Sequence, residues 1–278
     1  IKGKIYFQEG RLNEAFQIFE NLKNNRIQDS SVDFLYGIIL RERGEEEKAL
    51  ALFESSANSE ENFYPYWFKF AESLYLMGLP AEDKALKAMT LEPENPWIHN
   101  LYGLILLSED RNEESKTSFA RALELEGNSV DILINYSNAV AVIDGIEAAL
   151  TLFSEESDNP SVQNQLGNLL YSNADYEKAA VSYGKAVNGD GSSRTYKENL
   201  ASALIKQDRI LAAEEILSGL MEEYLSSATL EMTAQVAFRK GQYNRANASF
   251  IEAIKLEPAN TRILLNYGDF LYTRLDYQ

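Results

Sequence analysis

The sequence predicts an all-α solenoid of stacked antiparallel helix hairpins, eight of them, followed by one terminal helix. Three observations predict it. A small residue recurs nine times, at Gly3, Gly37, Ala71, Gly103, Ser137, Gly167, Ala201, Ala234 and Gly268, at intervals of 34, 34, 32, 34, 30, 34, 33 and 34 residues. Such a period marks one supersecondary unit stacked on copies of itself. Twelve residues after most of these stands a second small residue, and four further on a large apolar one, as in Ala15 with Phe19 or Ala246 with Phe250. A turn residue usually separates the two stretches: Gly10, Gly44, Gly78, Asp110, Asp144, Asp208 or Gly241.

The elements follow in order. Gly3 belongs to the first helix, and the stripe from Ala15 to Phe19 to the second. Full units then begin at residues 30, 64, 96, 130, 160, 194, 227 and 261, with the small residue at the eighth place. The unit at 30 carries Gly37, Ala49 and Phe53. The unit at 64 is short around Gly78-Leu79-Pro80 and has Ala85 where others have Phe or Tyr, so its hairpin should be thin and locally weak. The unit at 96 carries Gly103, Ser115 and Phe119. The unit at 130 is the shortest and closes at Asn159-Pro160. Those at 160, 194 and 227 pair Gly167 with Tyr183, Ala201 with Leu217 and Ala234 with Phe250. The unit at 261 supplies one helix around Gly268. Pro93 and Pro258, each closing a Leu-Glu-Pro, stop the second helices before them. The link 188–193 is the most flexible-looking stretch of a single solenoid domain, 1–278; it can act as a mild hinge, but the preserved 34-residue spacing favours an ordinary loop.

The physical logic is close approach. A small residue on the first helix lets the second come near, and the aromatic residue fills the remaining gap. Residues four apart share a helix face, so Ala49 and Phe53 make one buried stripe. No hairpin buries both its faces alone, and the next hairpin covers the rest.

This pattern resembles the tetratricopeptide repeat family over essentially the whole chain. Trp67 stands at the family's preferred Trp place in its unit. The resemblance implies a right-handed superhelix, a non-catalytic protein-binding scaffold, and first helices lining a concave groove through places two, five, six, nine, twelve and thirteen of each unit.

Composition narrows the function classes. The chain has 278 residues, a formal net charge of −17, one histidine and no cysteine. The acidity disfavours nucleic acid, whose phosphates need a basic track. A basic partner or a solvated outer face explains it. No run is long and apolar enough for a membrane span. The chain opens at Ile1 with Gly3 already in a helix, so a fragment of a longer chain is expected and the compartment stays open, cytoplasmic by default. His99, at a packing place, does not form a histidine cluster, and there is no phosphate loop or nucleophile elbow. Asn188, Asp190 and Ser192 lack the Gly and Glu a calcium loop needs. Glu45-Glu46-Glu47 and Glu155-Glu156 read as helix-start and solvated charges. Neither a catalytic residue nor a metal or cofactor site is expected.

The places that the resemblance turns inward differ along the chain. The N-terminal half is apolar and aromatic, with Phe34, Phe68, Tyr75 and Trp97, and with Lys4, Arg41, Lys69 and Glu72 as exceptions. Trp97, just after Pro96, is a candidate anchor. The C-terminal half is rich in amides: Asn135, Asn138, Gln165, Asn168, Asn199 and Asn266 are the candidate peptide-binding residues. Asn135, Gln165, Asn199 and Asn266 share the sixth place. An amide carries donors and an acceptor together, so a row of them can pair with an extended peptide backbone. It is similar to the asparagine ladder of the O-linked glycosyltransferase repeats, interrupted here by Leu101 and Met232. The same amides can instead bond neighbouring helices, and Phe34 and Phe68 can pack between them. The family's clamp for C-terminal carboxylates is absent, since Asn138, Gln165 and Asn199 stand without its cations.

Three readings follow: a scaffold holding a protein or peptide segment in the groove, the substrate-recruiting part of a larger enzyme, and a self-associating structural subunit. A monomer is favoured over the last, in which the final helix stacks through Tyr267, Leu271 and Tyr272 on another copy.

Overall fold

The computed structural model describes residues 1–153, 157–223 and 225–275; Glu155 and Glu156 lie outside the described residues. Among the described residues there are 17 helices and no strand. The first helices of the hairpins are α1 (Lys2–Gln8), α3 (Ser30–Glu42), α5 (Tyr64–Leu76), α7 (Pro96–Ser108), α9 (Val130–Ile143), α11 (Pro160–Ser172), α13 (Arg194–Lys206), α15 (Ser227–Arg239) and α17 (Thr261–Leu275). The second helices are α2 (Leu12–Asn24), α4 (Glu46–Ser59), α6 (Glu82–Leu91), α8 (Asn112–Leu125), α10 (Ile146–Leu150), α12 (Tyr176–Gly189), α14 (Ile210–Glu223) and α16 (Tyr243–Leu256). Each unit start from 30 to 261 is the first residue of a first helix.

Local chemistry sets these boundaries. Asp29, Asn95, Asn159, Ser193 and Ser226 each precede a first helix and accept a backbone N–H from its first turn. Those donors otherwise lack partners, and such a cap contributes about 1 kcal/mol. Glu92 and Glu257, the residues before Pro93 and Pro258, leave the helical region at φ −139° and −135°. Proline's ring forbids helical backbone in its predecessor. Between helices, the turn residues Gly10, Gly44, Gly78, Asp110, Asp208 and Gly241 take positive φ. Asp144 does not: Gly145 takes that conformation at φ 93°, because glycine adopts it without steric cost. In the next hairpin Ala174 takes it, a position the sequence did not flag.

The chain divides into two compact units, 1–143 and 144–278. In the first, α2, α4, α6 and α8 each pack on their own first helix and on the next one. Phe19, Phe53 and Phe119 are fully buried there, each worth about 1.5–3 kcal/mol of burial. A Cβ added at Gly3, Gly37 or Gly103 would lie 2.6, 2.9 or 2.6 Å from those rings, so the close approach requires glycine. The third hairpin is the thin one. Its α6 has 10 residues against 14 in α4 and α8, and Ala85, with Ala81 just before the helix, packs in one cluster with Ala71 of α5 and Leu101 and Ile105 of α7. The buried Ser73 hydroxyl in α5 has no hydrogen-bond partner among the described residues.

In the second unit, α10, α12, α14 and α16 pack on α11, α13, α15 and α17 respectively. Tyr183 fills the notch at Gly167, where a Cβ would lie 2.6 Å from its ring. Phe250 and Phe270 join Ala234, Ala246 and Ile263 in one cluster. Residues 188–193 lie inside this unit, where Asp190 accepts from the Ser192 backbone N–H and hydroxyl. No helix among the described residues is long and apolar enough to cross a membrane.

Candidate peptide-binding faces

In the first unit a cavity of about 380 Å³ opens between α3, α5 and α7. Its walls are Phe34, Tyr64, Phe68 and Trp97, with Lys69 and Glu72 among its polar lining. Five of these six stand at the places that the resemblance turns inward. Phe34 is also structural, with its ring 4.9 Å from Tyr66 and 5.9 Å from Phe53. Trp97 is 45% exposed. Pro96 starts α7, and Asn95 caps it by accepting from the Trp97 and Ile98 N–H groups at 3.0 and 3.3 Å. Trp97 therefore stands in the first turn, ahead of the packed part of its helix. Glu72 accepts through one oxygen from both Lys69, at 2.7 Å, and Arg41. Burial alone would raise its pKa, but the hydrogen bonds from Lys69 and Arg41 prevail and hold it below the usual 4.5.

The amides follow a second pattern. Asn135 donates to the Asn100 Oδ1 at 2.9 Å. In the second unit Asn199 donates to the Asn164 Oδ1 at 2.8 Å, and Asn266 donates to Glu231. All three bonds span 35 residues and run from the sixth place of one first helix to the fifth place of the preceding one. The amides at these places are staples between successive first helices. Asn135 and Asn266 each spend one N–H this way, Asn199 also donates to the Asn168 Oδ1, and among the described residues nothing takes the carbonyl oxygen of any of the three.

Asn168 ties the row to the core. It donates to the Gln165 Oε1 at 3.3 Å and accepts from the Tyr183 hydroxyl at 2.9 Å and from Asn199 at 3.4 Å. Burial, with Tyr171 nearby, pushes the Tyr183 hydroxyl pKa well up, so it stays a neutral donor. Gln165 is itself buried, whereas Asn138 is exposed.

Asn199 and Asn266 also line a cavity of about 510 Å³ between α11, α13, α15 and α17. The sequence reading missed its acids. Glu231 is 2% exposed and sits at a fifth place, paired with Arg262 at 2.8 Å. Glu198 accepts from Ser226 and Thr229 at 3.0 and 2.9 Å. A fifth place occupied by Glu rather than Phe or Asn was the available signal. Neither cavity is lined by Asn135, Asn138, Gln165 or Asn168. His99 Nε2 lies 2.8 Å from the Pro93 carbonyl oxygen, at the turn before α7.

Two tetratricopeptide repeat models match, over residues 98–129 and 231–278. A "TPR repeat-containing protein" of Treponema pallidum (strain Nichols) is 26% identical over 299 residues. The match covers all of this chain and 37% of that relative, so the chain spans little more than a third of its length. Yeast Tom70 superposes with a TM-score of 0.73 at 17% identity, covering 96% of this chain and 59% of Tom70. A human IFIT1 dimer with m7Gppp-AAAA superposes with a TM-score of 0.65 at 18% identity, covering 99% and 73%. These structural likenesses show the fold alone.

Proposed function

This chain is a tetratricopeptide-repeat protein, and from that premise we propose that it is a non-catalytic scaffold that holds an extended segment of a partner protein against its first helices. Repeats of this family generally serve as protein-interaction scaffolds. The observation that carries the finer reading is the staple geometry at Asn135, Asn199 and Asn266. These bonds fix the side chains, while the carbonyl oxygens of all three and the second N–H of Asn135 and Asn266 remain to pair with a peptide backbone. Main-chain hydrogen bonds of this kind give affinity without demanding a sequence, and fixed side chains lower the ordering cost. Nucleic acid is not the proposed ligand, because a net charge of −17 repels phosphates.

The test is capture of partners from native lysate by the wild-type chain and by the Asn135→Ala/Asn199→Ala/Asn266→Ala chain, with helicity checked first. A partner held by the first and lost by the second supports the reading. A partner held equally by both removes the amides from the binding surface. The length of the Treponema relative favours a second setting for the same activity, in which these repeats recruit a substrate for another part of a longer protein.

A further inference from the structure

We propose that the aromatic cavity of the first unit is a specificity pocket. It takes one bulky apolar side chain, Phe, Trp or Leu, from a peptide that carries an acidic residue within two positions of that anchor. The inference rests on the scaffold reading above and names the kind of segment this unit selects.

Three features carry it. The cavity is a half-open recess rather than a flat patch: about 380 Å³ bounded by Phe34, Tyr64, Phe68 and Trp97 from three successive first helices. That volume lies at the lower end of the ~300–1,000 Å³ range of small-molecule sites, which suits one large side chain. Trp97, 45% exposed, supplies an indole face that no other ring pairs with among the described residues. Aromatic residues in such a position are typical anchors of binding energy.

The polar side of the cavity is biased toward donors. Among the described residues Glu72 is the only acid in the lining, and a single one of its oxygens takes both Lys69 and Arg41. Lys69 is the one cation of the lining among the described residues; Arg41 lies outside the lining but takes the same Glu72 oxygen, so the Lys69–Glu72–Arg41 cluster carries one net positive charge in a chain whose total is −17. Lys69 has three N–H donors and spends one on Glu72. The Tyr64 hydroxyl and the Asn95 side-chain N–H groups have no partner among the described residues and add further donors at the rim. A carboxylate is the group that meets spare N–H and O–H donors beside a net positive charge. A lysine-bearing or methylated-lysine segment would face like charge, despite the aromatic walls.

The probe is a phage-displayed library of random peptides of about 12 residues, long enough to cross three first helices when extended. It is panned on the full chain and in parallel on Trp97→Ala, Lys69→Met and Asn199→Ala, each checked for wild-type helicity. Wild type should enrich a bulky apolar residue with Asp or Glu within two positions. A synthetic copy of the enriched peptide should lose tenfold or more in affinity on Trp97→Ala, as loss of a central anchor implies. Panning on Lys69→Met should keep the apolar anchor and lose the acidic preference, an effect that a merely structural lysine would not produce. Enrichment of basic residues, or none at all, overturns the inference. So does a peptide that survives Trp97→Ala and is lost on Asn199→Ala, and that outcome leaves the amide reading standing.

Discussion

The notch at Gly103 permits a sharp test of what holds the hairpins together. Alanine at residue 103 would place its Cβ 2.6, 2.7 and 2.9 Å from three atoms of the Phe119 ring. The ring is fully buried, and the two helices are also pinned by the Ser115 hydroxyl, which donates to the Gly103 carbonyl at 2.8 Å. Neither partner can retreat cheaply, so overpacking costs about 1–3 kcal/mol. Against this, replacing a mid-helix glycine by alanine contributes about 0.8–1 kcal/mol. The balance is a loss of up to about 2 kcal/mol. Gly184, inside α12, has nothing within 4 Å of its ideal Cβ, so only the propensity gain operates there. Gly184→Ala should therefore stabilise by about 0.5–1 kcal/mol. Urea titration followed by circular dichroism reads both, as shifts of midpoint at constant slope. Opposite signs are expected for the two substitutions. A Gly103→Ala chain stabilised as much as Gly184→Ala would refute the close-approach argument for the whole repeat.

Three further predictions follow from the polar groups. Tyr183→Phe keeps the ring in the Gly167 notch but removes the hydroxyl that Asn168 accepts from; urea titration should show a loss of about 0.5–1.5 kcal/mol. Asn266→Ala removes a donor to the buried Glu231 carboxylate, and the same titration should show about 1.5–3 kcal/mol lost, as for hydrogen bonds to charged groups. Glu72 has a folded pKa below its ordinary 4.5, so the stability it contributes is present above pH 4.5 and is lost as pH falls through the folded value. Glu72→Gln should therefore show a shallower acid limb below pH 4.5 in thermal melts, and an unchanged limb would refute the claim.

Repetition made the fold legible in the sequence. The small residue at the eighth place, the stripe from Ala49 to Phe53 and the turn residues recur in register, so each helix start was read several times over. The start at Arg194 was found although its own unit has Leu217 in place of an aromatic residue, because its neighbours fixed the phase. Local chemistry went astray where two adjacent residues competed for one role, as Asp144 and Gly145 did for the turn, and where an alanine without a turn signature, Ala174, took the positive φ.

The binding faces were legible by place but not by pairing. The sequence put Asn135, Asn199 and Asn266 on first helices at one place, because helical phase follows from spacing alone. It left open whether they bond a ligand or a neighbour, and the fold shows one N–H of each bonded to the preceding helix. Glu231 and Arg262 are 31 residues apart, and Lys69 and Arg41 are 28 apart. What joins each pair is the packing of one first helix against the next, which the order of residues does not state. The sequence by itself determined the helices, their phase and the glycine notches, since these depend on covalent geometry and on contacts that every unit repeats. Only the tertiary structure decided which amide meets which acceptor and which aromatics close into a cavity. Those outcomes depend on distances between side chains that differ from one unit to the next.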